Sequence, residues 1–105
     1  WAKKGNTFTF NYLKMFKYNN CEMHDVWEIP AVSMSEKKYG YHPTQKPERL
    51  LKRIILATTN ENDIVLDPFM GSGTTCATAK KLKRKWIGIE INPVFYNISK
   101  RRIEE

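Results

Sequence analysis

Cysteine is scarce in this 105-residue chain: Cys21 and Cys76 are the two present, far apart and in no C-x-x-C pair. That excludes a disulfide framework and a paired-cysteine zinc cluster, and it fits a reducing compartment. Long apolar runs are lacking as well. None approaches the roughly 20 residues that a membrane-spanning helix requires. The opening WAKKGNTF starts without methionine and has neither the apolar stretch nor the small-residue cleavage site of a secretory signal, so a piece of something longer is expected. Acidic residues are outnumbered, 11 Asp and Glu against 18 Lys and Arg, for a formal charge of +7. Such an excess favours polyanionic partners through counterion release, and a solvated lysine-rich surface accounts for it equally well.

What is present suffices for one compact domain with a modest core. Residues 7–16, TFTFNYLKMF, open on alternating aromatics and read as a strand drifting into irregular structure. Residues 24–30, HDVWEIP, read as a short strand that Pro30 terminates. The segment 31–47 is poor in apolar residues and reads as a loop. Pro47 can open a helix in which Leu50/Ile54 and Leu51/Ile55 repeat at i, i+4 while Arg49, Lys52 and Arg53 face outward. A turn, NEND, precedes IVLD at 64–67, an apolar run of the kind buried on both faces of a parallel sheet. Residues 73–84 predict a helix, small on one side and basic on the other, and WIGIE at 86–90 a second buried strand. Asn92 can cap and Pro93 can open a last helix through Ile103, with Val94 and Ile98 on one stripe. The lysine run 80–85 and the cluster 100–102 read as outward helix faces. Strand, helix, strand, helix is a βαβ unit, which predicts parallel strands and a right-handed crossover.

Ligands of such sheets sit at the carboxyl ends of the strands, and DPFMGSGTT, residues 67–75, lies there. Gly71 and Gly73 permit positive φ and close approach to backbone, while the following helix offers free N–H donors. Glu90, at the tip of the second strand, suits ribose hydroxyls. No lysine follows Gly73, so the P-loop is excluded, and the third glycine of the dinucleotide fingerprint is missing. Asp67 would repel phosphate but suits a cationic ligand such as the ammonium and sulfonium of S-adenosylmethionine. A structural tight turn explains G-x-G alone just as well.

HPTQKPERLLKRII, DPFMGSGTT and GIEINP, in that order, resemble the cofactor-binding end of the β-class bacterial amino-methyltransferases that modify adenine N6 or cytosine N4 in DNA. The resemblance covers residues 24–105 and implies an α/β fold, a partial Rossmann-like methyltransferase sheet. It divides the chain into 1–34, the tail of a target-recognition region with its lead-in strand, and 35–105, the S-adenosylmethionine-binding region. It implies that Asp67, Phe69, Gly71 and Gly73 line the methionine part of the cofactor. Glu90 would take the ribose hydroxyls, Thr44 and Lys46 would close over the methionine end, and Ile91 would flank the adenine. The plain alternatives are that Thr44 caps the helix at Pro47, Glu90 is a solvated acid, Phe69 is core and Lys46 is solvated.

The D/N/S-P-P-Y/F/W box with which these enzymes hold a flipped base is absent, so no residue of this chain is assigned to catalysis. The resemblance implies double-stranded DNA as partner of a full-length enzyme, adenine N6 as the favoured target, and the cytoplasm of a bacterium or archaeon. The isolated chain is then expected to be inactive. A non-catalytic subunit that completes a split enzyme is the alternative, and a nicotinamide-binding piece a third. Two core strands would leave apolar edges open, which predicts self-association or pairing with an N-terminal segment.

Overall fold

The computed structural model describes residues 9–18 and 27–105. Helix α1 is Tyr12–Tyr18, α2 Glu48–Thr58, α3 Thr74–Lys81 and α4 Pro93–Glu104. Strands β1, Ile64–Asp67, and β2, Lys85–Gly88, form a two-stranded parallel sheet with Ile64 opposite Lys85 and Asp67 opposite Gly88. The β1–α3–β2–α4 order is the one read from the sequence. No helix among the described residues is long and apolar enough to cross a membrane.

Two strands expected near the beginning are not found among the described residues. Residues 12–16 are helical, because Leu13, Lys14 and Met15 are good helix formers and the turn buries Met15 at 2% exposure. Asn11 fastens this helix to the end of α2, its amide donating to Leu56 O at 2.8 Å and Thr59 O at 2.6 Å. Residues 27–30 form no strand, and residues 7–8 and 24–26 lie outside the described residues. The loop 31–47 holds one short 3₁₀ turn, Met34–Lys37.

Helix α2 begins after Pro47, which sits in the extended conformation as N-cap. Its cap comes from a distance: the Glu36 carboxylate accepts the Glu48 N–H at 2.9 Å, so Thr44 has no capping role. Ile55 and Ala57 are buried and Arg49 and Lys52 face out as expected. Arg53 does not, since its guanidinium lies 4.6 Å from the Trp27 ring centroid, a cation–π contact.

Helix α3 ends at Lys81, earlier than expected, and Lys83 at φ 63° turns the chain. Arg84 therefore points inward instead of joining the basic face, and it is 5% exposed. Its Nε and Nη2 donate to Thr59 Oγ1 and O at 2.9 and 2.8 Å, and Nη1 to Leu82 O at 2.6 Å. One guanidinium thus satisfies carbonyls just beyond the C-termini of α2 and α3, where positive charge is favoured.

Both strands were expected to be buried on both faces; one face is half-covered by α3 and the other is open. A Cβ on Gly88 would lie 2.3 Å from Met70 Sδ and 2.8 Å from Cys76 Sγ, so Gly88 and its partner Asp67 face α3. The opposite face carries Ile64, Leu66 and Ile87, exposed at 64, 59 and 51%. On the helical side, Met70, Cys76, Ala77 and Ile103 form a buried cluster of the core. In α4 the Asn92 side chain accepts the Val94 and Phe95 N–H groups at 2.9 and 3.3 Å with Pro93 in the first turn, as read from the sequence. Its buried stripe starts at Ile98, because Val94 is 63% exposed.

Arg84→Met should lower stability by about 3 kcal/mol, because buried carbonyls lose a charged donor. Arg101→Met, at an exposed position of α4, should change it by less than about 0.5 kcal/mol. Urea unfolding followed by circular dichroism checks both.

Candidate functional site

The chain leaves β1 in a turn closed by its own last side chain: Asp67 Oδ1 accepts the Phe69 N–H at 3.1 Å. Met70 N–H then donates to Ile89 O at 3.0 Å, and Ile89 N–H to Asp67 O at 3.0 Å, which sews the turn to the chain leaving β2. Gly71 and Gly73 both take left-handed backbone, φ 54° and 80°, where a side chain is strained. Space is a second constraint. A Cβ on Gly71 would lie 2.9 Å from His42 Nε2, and one on Gly73 2.7 Å from Ser99 Cβ and 3.0 Å from Ser99 Cα. The glycines admit the HPTQKP segment on one side and α4 on the other.

Glu90 stands behind this turn with both oxygens engaged. Oε1 accepts the Gly71 N–H at 3.0 Å and Oε2 the Asn92 N–H at 2.9 Å. It is not a free acid in solvent. Each oxygen keeps a further lone pair, so the carboxylate can still accept from a ligand hydroxyl.

The turn and the HPTQKP segment enclose a cleft of about 120 Å³. Thr44, Lys46, Asp67, Phe69 and Gly71 are brought together on its walls, beside Ser72, Thr74 and Thr75. Gly73 lies beneath the turn against Ser99, and Glu90 reaches the site only through Gly71. Ile91, at 97% exposure, does not line the cleft. Phe69 is 88% exposed, which removes the reading of it as core. At about 120 Å³ the cleft is smaller than the roughly 300 Å³ at which small-molecule pockets begin, too small to enclose a whole ligand of that kind.

His42 also lines the cleft and had no role in the sequence reading. Its Nδ1 accepts the Thr44 N–H at 3.1 Å, and its ring packs on Phe95 with centroids 4.2 Å apart. An accepting Nδ1 places the proton of the neutral ring on Nε2, toward Gly71. Its place as first letter of the HPTQKP box was the one available signal.

Similarity to known proteins extends over nearly the whole chain. The family model described as DNA methylase, for N6 and N4 enzymes, matches residues 2–101. The chain belongs to this DNA methylase family. It is 48% identical over 109 residues to the Type II methyltransferase M2.LlaDCHI of Lactococcus lactis subsp. cremoris, covering 100% of this chain and 40% of that protein. It is 55% identical over 80 residues to the DNA adenine methyltransferase YhdJ of Escherichia coli K12, covering 76% of this chain and 27% of that one. Among solved structures, the M1.HpyAVI–SAM complex superposes with a TM-score of 0.72 at 34% identity, over 98% of this chain and 47% of the other. The methylase fold expected from the three motifs is therefore present, as a part: the chain spans about 40% of the length of the curated relative M2.LlaDCHI.

Cys76 is fully buried, and burial together with the nearby Asp67 carboxylate pushes its thiol up to about 11. The neutral thiol's contribution to stability is complete below its ordinary value of 9.0 and is lost as the pH rises through about 11. Iodoacetamide at pH 8 should leave Cys76 unlabelled in the native chain and label it in urea, read by peptide mass mapping.

Proposed function

We propose that this chain is the S-adenosylmethionine-binding part of a DNA methyltransferase acting on an exocyclic amine, adenine N6 by preference. The observation that carries this is the cleft in which Asp67, the glycine turn, Thr44 and Lys46 meet. Its donors and acceptors fit the amino-acid end of that cofactor. Asp67 keeps an oxygen to accept from an ammonium, Thr44 and Lys46 donate to a carboxylate, and the exposed Phe69 ring can face a sulfonium. Glu90, held from behind by two backbone N–H groups, is oriented to accept from ribose hydroxyls. Ile91, exposed beside Glu90, offers an apolar side chain to the adenine. Gly73 supports the turn from beneath. When bound, the cofactor supplies an electrophilic methyl group; the residues of this chain bind and orient it.

A base-holding motif is absent from the sequence, so the methyl acceptor must be held by residues outside this chain. In this reading residues 1–34 are the tail of a target-recognition region, and double-stranded DNA is bound by a longer or composite enzyme. The open sheet face favours a composite: Ile64, Leu66 and Ile87 are apolar and exposed, and among the described residues neither strand has a second neighbour. Either an N-terminal portion or a second copy covers them. That same feature supports the alternative of a subunit that completes a split methyltransferase.

Titration calorimetry with S-adenosylhomocysteine tests the cofactor assignment. The chain should bind it and ignore NAD. Asp67→Ala and Glu90→Ala should each weaken binding by about 1.5 to 3 kcal/mol, the worth of a charge-assisted contact; unchanged affinity in both rejects the assigned cleft. Light scattering should find the chain associated, and a stable monomer with an uncovered sheet would refute self-association.

A further inference from the structure

Arg102 lies near the end of α4, outside the three motifs, and its guanidinium bonds one wall of the cleft directly, at Thr74, and connects to the other through Glu36 and Gln45. Nη1 donates to Thr74 Oγ1 at 2.7 Å, at the first residue of α3. Nη2 donates to the Glu36 carbonyl, in the 3₁₀ turn before the HPTQKP segment. That same carbonyl accepts from Gln45 Nε2 at 2.8 Å, and Gln45 stands between Thr44 and Lys46. The Glu36 side chain meanwhile caps α2 through Glu48 N–H. Arg102 is therefore one bond from the glycine turn and two from the pair that would close over the cofactor.

The rest of the α4 face repeats this double attachment. One turn earlier, Ser99 packs on Gly73 and Ile98 on Gly40, each so closely that a Cβ on the glycine would come within 2.7 and 2.8 Å respectively. Ser99 turns its hydroxyl back to Tyr96 O at 2.7 Å, leaving its Cβ as the contact surface. Packing can press the two walls together, but it is tolerant of sliding. The planar fork, with donors at fixed angles to two different carriers, is not. Partial burial lowers the Arg102 pKa from its ordinary value, and the Glu36 and Glu48 carboxylates oppose that shift.

We propose that Arg102 is a positioning residue of the cleft: one guanidinium sets the separation between the segment carrying Thr44 and Lys46 and the turn carrying Asp67 through Thr74. This rests on the cofactor reading above and deepens it. Arg102 does not line the cleft. It acts through Thr74 and through Glu36 and Gln45, on the end of the site assigned to the amino-acid part of the cofactor.

The test compares two ligands in the full chain by calorimetry: S-adenosylhomocysteine, and 5′-methylthioadenosine, which keeps the nucleoside and lacks the amino acid. Arg102→Met should weaken the first about tenfold or more, as expected for loss of a charge-assisted contact. Binding of the second should stay within about twofold. Arg102→Lys, which keeps the charge but cannot span both acceptors, should show the same selective loss to a smaller degree and carries the test if the Met variant does not fold. Equal weakening of both ligands would mean a general structural role, and no weakening of either would mean no role; each overturns the proposal. Failure of the unaltered chain to bind S-adenosylhomocysteine would instead overturn the cofactor assignment.

Discussion

The turn that forms the cleft is held by a carboxylate that is not itself among the residues lining it. Glu90 holds the Gly71 N–H with one oxygen and the Asn92 N–H with the other, joining the loop after β1 to the residue that caps α4. Without that bridge the left-handed turn would be tied to β2 only through Met70 and Ile89. A charge in this place serves two ends with one group: it stabilises an otherwise strained turn, and it remains an acceptor two residues past the second strand.

The half of the chain from β1 onward was legible because its signals are local. Pro93 behind Asn92, glycines at a strand end and β-branched runs between turn residues each act within a few positions, and they appear where they were read, except that the second strand runs 85–88 and not 86–90. What was missed was set by contacts at long range. Arg84 looks like one more charge in a lysine run, and only the turn at Lys83 brings it to the ends of two helices. Glu36 has the appearance of a loop acid, yet it caps a helix 12 residues away. Residues 7–16 open with alternating aromatics like a strand, but from Tyr12 the burial of Met15 where α1 packs on α2 decides in favour of a helix.

The site residues divide along the same line. Asp67, Thr44 and Lys46 were identified by motif and stand together in the cleft. His42 was overlooked because a histidine before proline carries no chemistry that its neighbours in sequence reveal; its partners, Phe95 and the glycine turn, lie far along the chain. Glycine at 71 and 73 was expected to make room for a ligand. It makes room for protein, for His42 and for Ser99, so that what a ligand meets is a turn already clamped from both sides.

The span of the Arg102 contacts bears on when such a site forms. Its two acceptors lie 28 and 66 residues away along the chain. Contacts of that separation cost loop-closure entropy that local helices and the turn after β1 do not, so they close after those elements exist. The glycine turn and the helices can be native-like while the two walls still move independently. If Arg102 sets the separation of the walls as proposed, the cleft reaches its final width during synthesis only once the last turn of α4 has left the ribosome, and the proposed cofactor site is among the last features this part of the protein completes.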